Sequence, residues 1–155
     1  MLIAHQPAEA RAQIQAWRLA GETVAVVPTM GNLHAGHLAL VAEGRRRARR
    51  VVVSVFVNPA QFGPNEDFDR YPRTLEADCA ALQRADCDLL FAPAVDAMYP
   101  AGWVDMATVT APRALTEILC GAFRPGHFDG VATVVVKLFH AMPGDFAIFG
   151  EKDFQ

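Results

Sequence analysis

The stretch Val24-Ala25-Val26-Val27-Pro28-Thr29-Met30-Gly31-Asn32-Leu33-His34-Ala35-Gly36-His37 governs how the rest of the chain is read. Its apolar, β-branched first half predicts a strand over residues 23–28. Pro28, Gly31 and Asn32 then break that strand in a turn. A helix is predicted over residues 36–48, and the first helical turn holds His34 and His37, three apart and therefore on one face. Gly36 lets a ligand approach the backbone without meeting a Cβ. Free N–H groups and the positive dipole end of the helix suit an anion, so strand, turn and helix with two imidazoles form a candidate phosphate site. The same two histidines also fit a helix cap, a surface position or half of a metal site.

Outward from this unit, strands and helices alternate. Residues 50–57 are apolar on both faces, as in the interior of a parallel sheet. Further strands are expected at 88–92, 104–110 and 145–149. Helices are expected over Pro7–Leu19, with Ile14 and Trp17 on the apolar face, and over 73–85, with Leu75, Cys79 and Leu82 pointing inward. In the 36–48 helix, Leu38, Val41 and Ala42 form the apolar side. Residues 113–120 and 130–141 complete the helices. The pattern gives an α/β fold, a doubly wound parallel sheet. Ligands on such sheets bind beyond the carboxyl ends of the strands. Four polar segments fall there: 29–37, 58–72, 121–130 and 150–155.

The chain has 155 residues, 52% of them hydrophobic and 20% charged, which suits one soluble domain with a real core. A net charge of -3 argues against a dedicated nucleic-acid binder. The run Arg45-Arg46-Arg47-Ala48-Arg49-Arg50 reads as a solvated helix C-terminus, with a phosphate or RNA role as the alternative. Cys79, Cys87 and Cys120 lack metal spacing and fit reduced thiols of the cytoplasm. No secretory leader opens the sequence, and its apolar runs are too short to span a membrane. Neither G-x-G-x-x-G nor G-x-x-x-x-G-K-[ST] is present, so dinucleotide binding and P-loop hydrolysis are not expected.

Several blocks together resemble the pantoate–β-alanine ligase (pantothenate synthetase) family. They are the segment from Val27 to His37, Phe56-Val57-Asn58-Pro59-Ala60-Gln61-Phe62-Gly63, Tyr71-Pro72-Arg73-Thr74, the segment from Arg124 to Val135, and Phe149-Gly150-Glu151-Lys152-Asp153-Phe154-Gln155. They cover the chain in the family's order. His-x-Gly-His by itself is shared with many nucleotidylyltransferases. The resemblance implies a Rossmann-like fold of the HxGH nucleotidylyltransferase type. It also implies a two-step reaction: the carboxylate of (R)-pantoate attacks the α-phosphorus of ATP, and the amine of β-alanine then attacks the pantoyl adenylate. Pantothenate, AMP and pyrophosphate result, and magnesium accompanies the ATP.

By the same resemblance, His34, His37 and Lys152 are the catalytic side chains, with His37 in the slot usually assigned to a proton donor. Since a carboxylate nucleophile needs no general base, charge stabilisation is expected to be the larger part of its role. Met30, Gly31, Asn32, Leu33, His34, Ala35, Gly36 and His37 would contact ATP, as would Gly150, Glu151, Lys152 and Asp153. Gln61 would bind pantoate and border the β-alanine site, since a carboxamide offers both donor and acceptor. Arg124 is a further candidate for substrate, although it and His127 fit a structural or interface role equally well. Taken alone, Gln61 and Lys152 read as surface residues, and Asn58 as the brace of an Asx turn. The family's small C-terminal lid domain has no counterpart in this sequence. Residues 1–155 are therefore expected to be the N-terminal nucleotide-binding domain, with part of the sheet left uncovered, binding ATP weakly and making little pantothenate. A homodimer in the cytoplasm is expected, with no nucleic-acid or membrane partner. Two readings compete: another HxGH nucleotidylyltransferase, or a non-catalytic dimerising fragment.

Overall fold

In the computed structural model, which describes residues 1–63, 68–102 and 106–154, five strands form one all-parallel sheet. They are β1 (Leu2–Ala4), β2 (Val24–Thr29), β3 (Arg50–Val55), β4 (Leu89–Phe91) and β5 (Phe146–Ala147). Their spatial order is β1-β4-β3-β2-β5. β2 and β3 pair in register from Val24 opposite Arg50 to Thr29 opposite Val55. These two central strands are almost wholly buried, as their unbroken apolar runs predict.

Alternate residues of the strands feed two cores. On one face Val24, Val26, Val52, Leu89 and Phe91 pack with Ala10 and Ile14 of α1 (Pro7–Leu19). Val134 and Leu138, from a long helix late in the chain, join them there. On the other face Ala25, Val27, Val51, Val53 and Leu90 meet Val41 of α2 (Ala35–Arg47) and Leu82 of α3 (Leu75–Arg84). Helices thus cover both faces, and the doubly wound α/β expectation is met. β2 continues to β3 on one side and pairs with β5 on the other. The point where the winding reverses therefore lies beside β2, directly below the Thr29–His37 turn.

Several local expectations are corrected. Among the described residues of 104–110, that is 106–110, there is no strand; 104 and 105 lie outside them. The helix expected over 113–120 is two short turns, α4 (Val95–Met98) being followed by α5 (Arg113–Thr116) and then a 3-10 turn at Leu119–Ala122. β1 and α4 have no counterpart among the expected elements. The glycine-bearing loop expected over 121–130 ends at Gly126, and α6 (His127–Ala141) begins three residues earlier than predicted. Gly130 lies inside that helix because a Cβ there would stand 2.3 Å from the Ala60 carbonyl oxygen. Leu75 is 41% exposed rather than inward, and Ala42 is also exposed. β5, at one edge of the sheet, has both of its residues exposed.

Four of the five arginines in the run are held in ion pairs. Arg46 and Arg47 pair with Glu43, while Arg45 and Arg50 pair with Asp88, and Arg50 also with Glu22. This network lies at the amino-terminal end of the sheet, opposite the polar segments.

Candidate active site

The turn after β2 is built on a hydroxyl and a carboxylate. Thr29 Oγ1 donates to the Ser54 carbonyl at 2.6 Å and accepts from the Gly31 N–H at 3.2 Å. Gly31 and Asn32 then take consecutive left-handed conformations, with φ +84° and +52°. A Cβ on Gly31 would lie 2.9 Å from Val55 Cγ1 and 3.0 Å from Asp78 Oδ2. Asp78, on the first turn of α3, accepts from the Asn32 N–H at 3.0 Å and the Leu33 N–H at 2.8 Å. Thr74 Oγ1 donates to the same carboxylate at 3.2 Å.

His34 is the N-cap of α2, with extended backbone, and His37 is the third helical residue. They do not share a helical turn as expected, yet their ring centroids are 4.1 Å apart. Each serves as a cap: His34 Nδ1 accepts from the Gly36 N–H at 3.1 Å, and His37 Nδ1 accepts from the His34 N–H at 3.3 Å. With both Nδ1 atoms as acceptors, each neutral ring carries its proton on Nε2. Partial burial, then the neighbouring His34 and Lys152, hold the His37 pKa below its ordinary value. Gly36 also has a local structural use. A Cβ there would meet the His34 ring, 2.9 Å from Cε1, so glycine makes room for the folded-back cap. The cap reading of the two histidines and the phosphate reading are thus compatible. Among the described residues no cluster of three or more His, Cys, Asp or Glu side chains is placed to hold a metal ion.

Beyond β3, Asn58 caps a 3-10 turn at Pro59–Gln61 by accepting from the Ala60 N–H at 3.3 Å, the expected Asx brace. It does more than that. Although only 1% exposed, Asn58 donates from Nδ2 to Gln61 Oε1 and to the Gly130 carbonyl, both at 3.2 Å. Tyr99 donates its hydroxyl to Asn58 Oδ1 at 2.6 Å. Burial pushes the Tyr99 hydroxyl up to about 12, so it remains a donor. The chain of bonds fixes the Gln61 amide: its oxygen faces Asn58, and its NH2 faces Met30, whose Sδ it meets at 3.1 Å. His127 Nδ1 and Arg124 Nη2 lie 2.9 and 3.4 Å from the Gln61 carbonyl, and Arg124 Nη1 lies 3.1 Å from His127 Nε2. Arg124 thus acts on the backbone of Gln61.

After β5, Gly150 precedes a 3-10 turn at Glu151–Asp153, with Lys152 Nζ 2.5 Å from Asp153 Oδ1. The charge of Lys152 reaches both His37 and Tyr71. The segments around His37, Gln61 and Lys152 thus converge at one end of the sheet; Gln155 and residues 64–67 lie outside the described residues. A cavity of about 280 Å³ lies next to this convergence, lined by Met30, Gly31, Val57, Thr74, Asp78 and Pro93 among others; His34, His37, Gln61 and Lys152 are not part of its lining. Within the ATP set, Gly31 is buried, while Met30, Leu33 and His37 are half-buried. Asn32, His34, Ala35, Gly36, Glu151, Lys152 and Asp153 are exposed. Sequence reasoning missed Asp78 and Tyr99. The available signal for Asp78 was its place four residues before Leu82, on the inward stripe of α3, where a carboxylate needs a partner.

A sequence model of the pantoate-beta-alanine ligase family matches residues 2–155. The pantothenate synthetase of Hydrogenovibrio crunogenus is 57% identical over all of this chain and 54% of its own length. That of Alcanivorax borkumensis is 58% identical, again over all of this chain and 54% of its own length. The crystal structure of the Thermus thermophilus pantothenate synthetase superposes with a TM-score of 0.91 at 53% identity, covering 99% of this chain and 53% of that one. A Francisella tularensis pantoate-beta-alanine ligase complexed with beta-gamma ATP and beta-alanine gives 0.83 at 36% identity, covering 95% and 55%. The fold is therefore the Rossmann-like one of HxGH nucleotidylyltransferases. The chain spans about half the length of the relatives it matches.

Proposed function

Because this chain belongs to the pantoate–β-alanine ligase family, we propose that its site serves the ATP-dependent condensation of (R)-pantoate with β-alanine. A pantoate carboxylate oxygen bonds to the α-phosphorus while the bond to the bridging oxygen breaks, and pyrophosphate leaves with that electron pair. The β-alanine amine then attacks the acyl carbon of pantoyl adenylate, AMP leaves, and the amine's proton passes to water. Residues 1–155 act as the nucleotide-binding domain. Magnesium comes as part of MgATP.

The observation that carries this reading is the reciprocal capping of His34 and His37, which leaves two Nε2–H donors at the carboxyl end of β2. Donors of fixed orientation stabilise charge as it develops on the α-phosphoryl and pyrophosphate oxygens. The positive end of the α2 dipole adds to this, with Met30, Gly31, Asn32, Leu33, Ala35 and Gly36 against the nucleotide. Gly150, Glu151 and Asp153 border the nucleotide from the other side, and Lys152 exchanges Asp153 for phosphate. The Gln61 NH2, held by Asn58, donates to a pantoate oxygen, while Arg124 and His127 hold the Gln61 backbone. The three free cysteines are consistent with the cytoplasm, and apolar Leu115, Leu119 and Phe123, all exposed, with self-association as a homodimer. Among the described residues no helix is long and apolar enough to cross a membrane.

Calorimetric titration with MgATP tests the reading. Saturable binding is expected, tightened by pantoate and weakened about tenfold in His37→Ala, as loss of a charge-assisted hydrogen bond implies. Pyrophosphate exchange that ignores pantoate but responds to another acceptor would assign the site to a different nucleotidylyltransferase.

A further inference from the structure

Among the described residues Asp78 is the one charged side chain that is buried, at 2% exposure. Burying a carboxylate is costly unless its oxygens are satisfied. Here three donors satisfy them, two backbone N–H groups and the Thr74 hydroxyl, and no arginine or lysine is among its partners. Such a charge, lining the cavity beside a polyphosphate site, opposes an anionic ligand rather than attracting it. A charge in that place calls for a compensating role, and its hydrogen bonds supply one. Asn32 and Leu33 present adjacent N–H groups just after two left-handed residues. The carboxylate takes one N–H on each oxygen, Asn32 on Oδ2 and Leu33 on Oδ1, whereas an amide has a single acceptor atom and would turn its NH2 toward one of the two.

We propose that Asp78 is a positioning residue: its carboxylate clamps the Asn32–Leu33 backbone and so sets the N-cap His34 and the orientation of both imidazoles. The clamp couples α3 to α2 across the top of the sheet. It rests on the reading above that His34 and His37 meet phosphate. Asp78→Asn is the test, because it keeps size and one acceptor but turns an NH2 toward a backbone N–H.

Nitrogen-15 NMR of the imidazoles in the 155-residue chain should find both rings as single Nε2–H tautomers. In Asp78→Asn the Asn32 and Leu33 amide protons should move upfield, the rings should become tautomer mixtures, and the MgATP Kd should rise about tenfold. Asp78→Glu, which keeps both oxygens, should recover part of the affinity. Unchanged imidazole shifts, with an MgATP Kd within about twofold of the parent, would overturn the clamp. If Asp78→Asn does not fold, hydrogen-bond couplings in the unaltered chain decide: couplings from the Asn32 and Leu33 amides to the Asp78 carboxyl carbon support the clamp, and their absence overturns it. If imidazole shifts move in the variant while the parent binds no MgATP, the clamp stands and the ligase reading fails.

Discussion

A proton on His37 Nδ1 would remove the acceptor that holds the His34 N–H, so the cap at the start of α2 exists only with a neutral ring. Burial and the nearby His34 and Lys152 lower the His37 pKa from its ordinary 6.5. Between that depressed value and about 6.5, the unfolded chain binds a proton that the folded one does not. This group's contribution to stability is therefore complete above about pH 6.5 and declines as pH falls toward the folded value. A bound triphosphate favours the cation and should move the midpoint upward. Following the His37 Cε1–H resonance against pH, with and without MgATP, checks both signs; a midpoint above 6.5 in the free chain would contradict them. At Gly31, both the left-handed φ and the approach of Val55 and Asp78 oppose any side chain. Gly31→Ala should cost about 1–3 kcal/mol in chemical denaturation. The sequence displays the two histidines and the turn glycine because their spacing is local. It does not display Asp78 as their brace, since that contact spans 46 residues and depends on where α3 lands.

The 3-10 turn at Pro59–Gln61 and α6 approach so closely that backbone meets backbone at Gly130. A Cβ there would be 2.3 Å from the Ala60 oxygen and 2.9 Å from the Gln61 Cα, neither of which can swing aside. Gly130→Ala should therefore push the turn off α6, break the Asn58–Gly130 bond and move Gln61. The expected result is a loss of about 1–3 kcal/mol, read by thermal unfolding, together with loss of any tightening of MgATP binding by pantoate. Tyr99→Phe is a gentler probe of the same junction. It removes one of the two donors to Asn58 Oδ1 and should cost about 1 kcal/mol without changing the shape of the core. Such element-to-element fits explain what sequence reasoning could and could not see. A glycine in an apolar, β-branched run signals a break, yet here it permits a helix to pass a carbonyl. β1 escaped notice because it has three residues, with Leu2 and Ile3 half exposed. The four long helices and the two central strands were legible because each carries a full period of apolar residues.

In a parallel sheet the two ends of the molecule can have separate tasks, since every strand points the same way. The carboxyl end here carries the turn glycines, the imidazoles and the Gln61 junction. The amino end carries the ion network, in which Asp88 accepts from the Val51 N–H at 2.8 Å, from Arg45 at 2.6 Å and from Arg50 at 3.0 Å. Arg50 also pairs with Glu22 and lies over the Trp17 ring at 5.2 Å, tying α1 to β3. The Asp88 side chain is only 16% exposed, so its removal leaves two guanidinium groups short of an acceptor in a partly dry site. Asp88→Asn should lower unfolding free energy by about 1.5–3 kcal/mol and reduce the dependence of stability on salt. Because this end lies a full strand length from His34, MgATP affinity should stay within about twofold of the parent. Urea denaturation at two ionic strengths, with an MgATP titration of the same samples, separates the two tasks. A variant that kept its stability but lost MgATP would mean that the amino end of the sheet communicates with the site, and the division of labour between the ends would have to be abandoned.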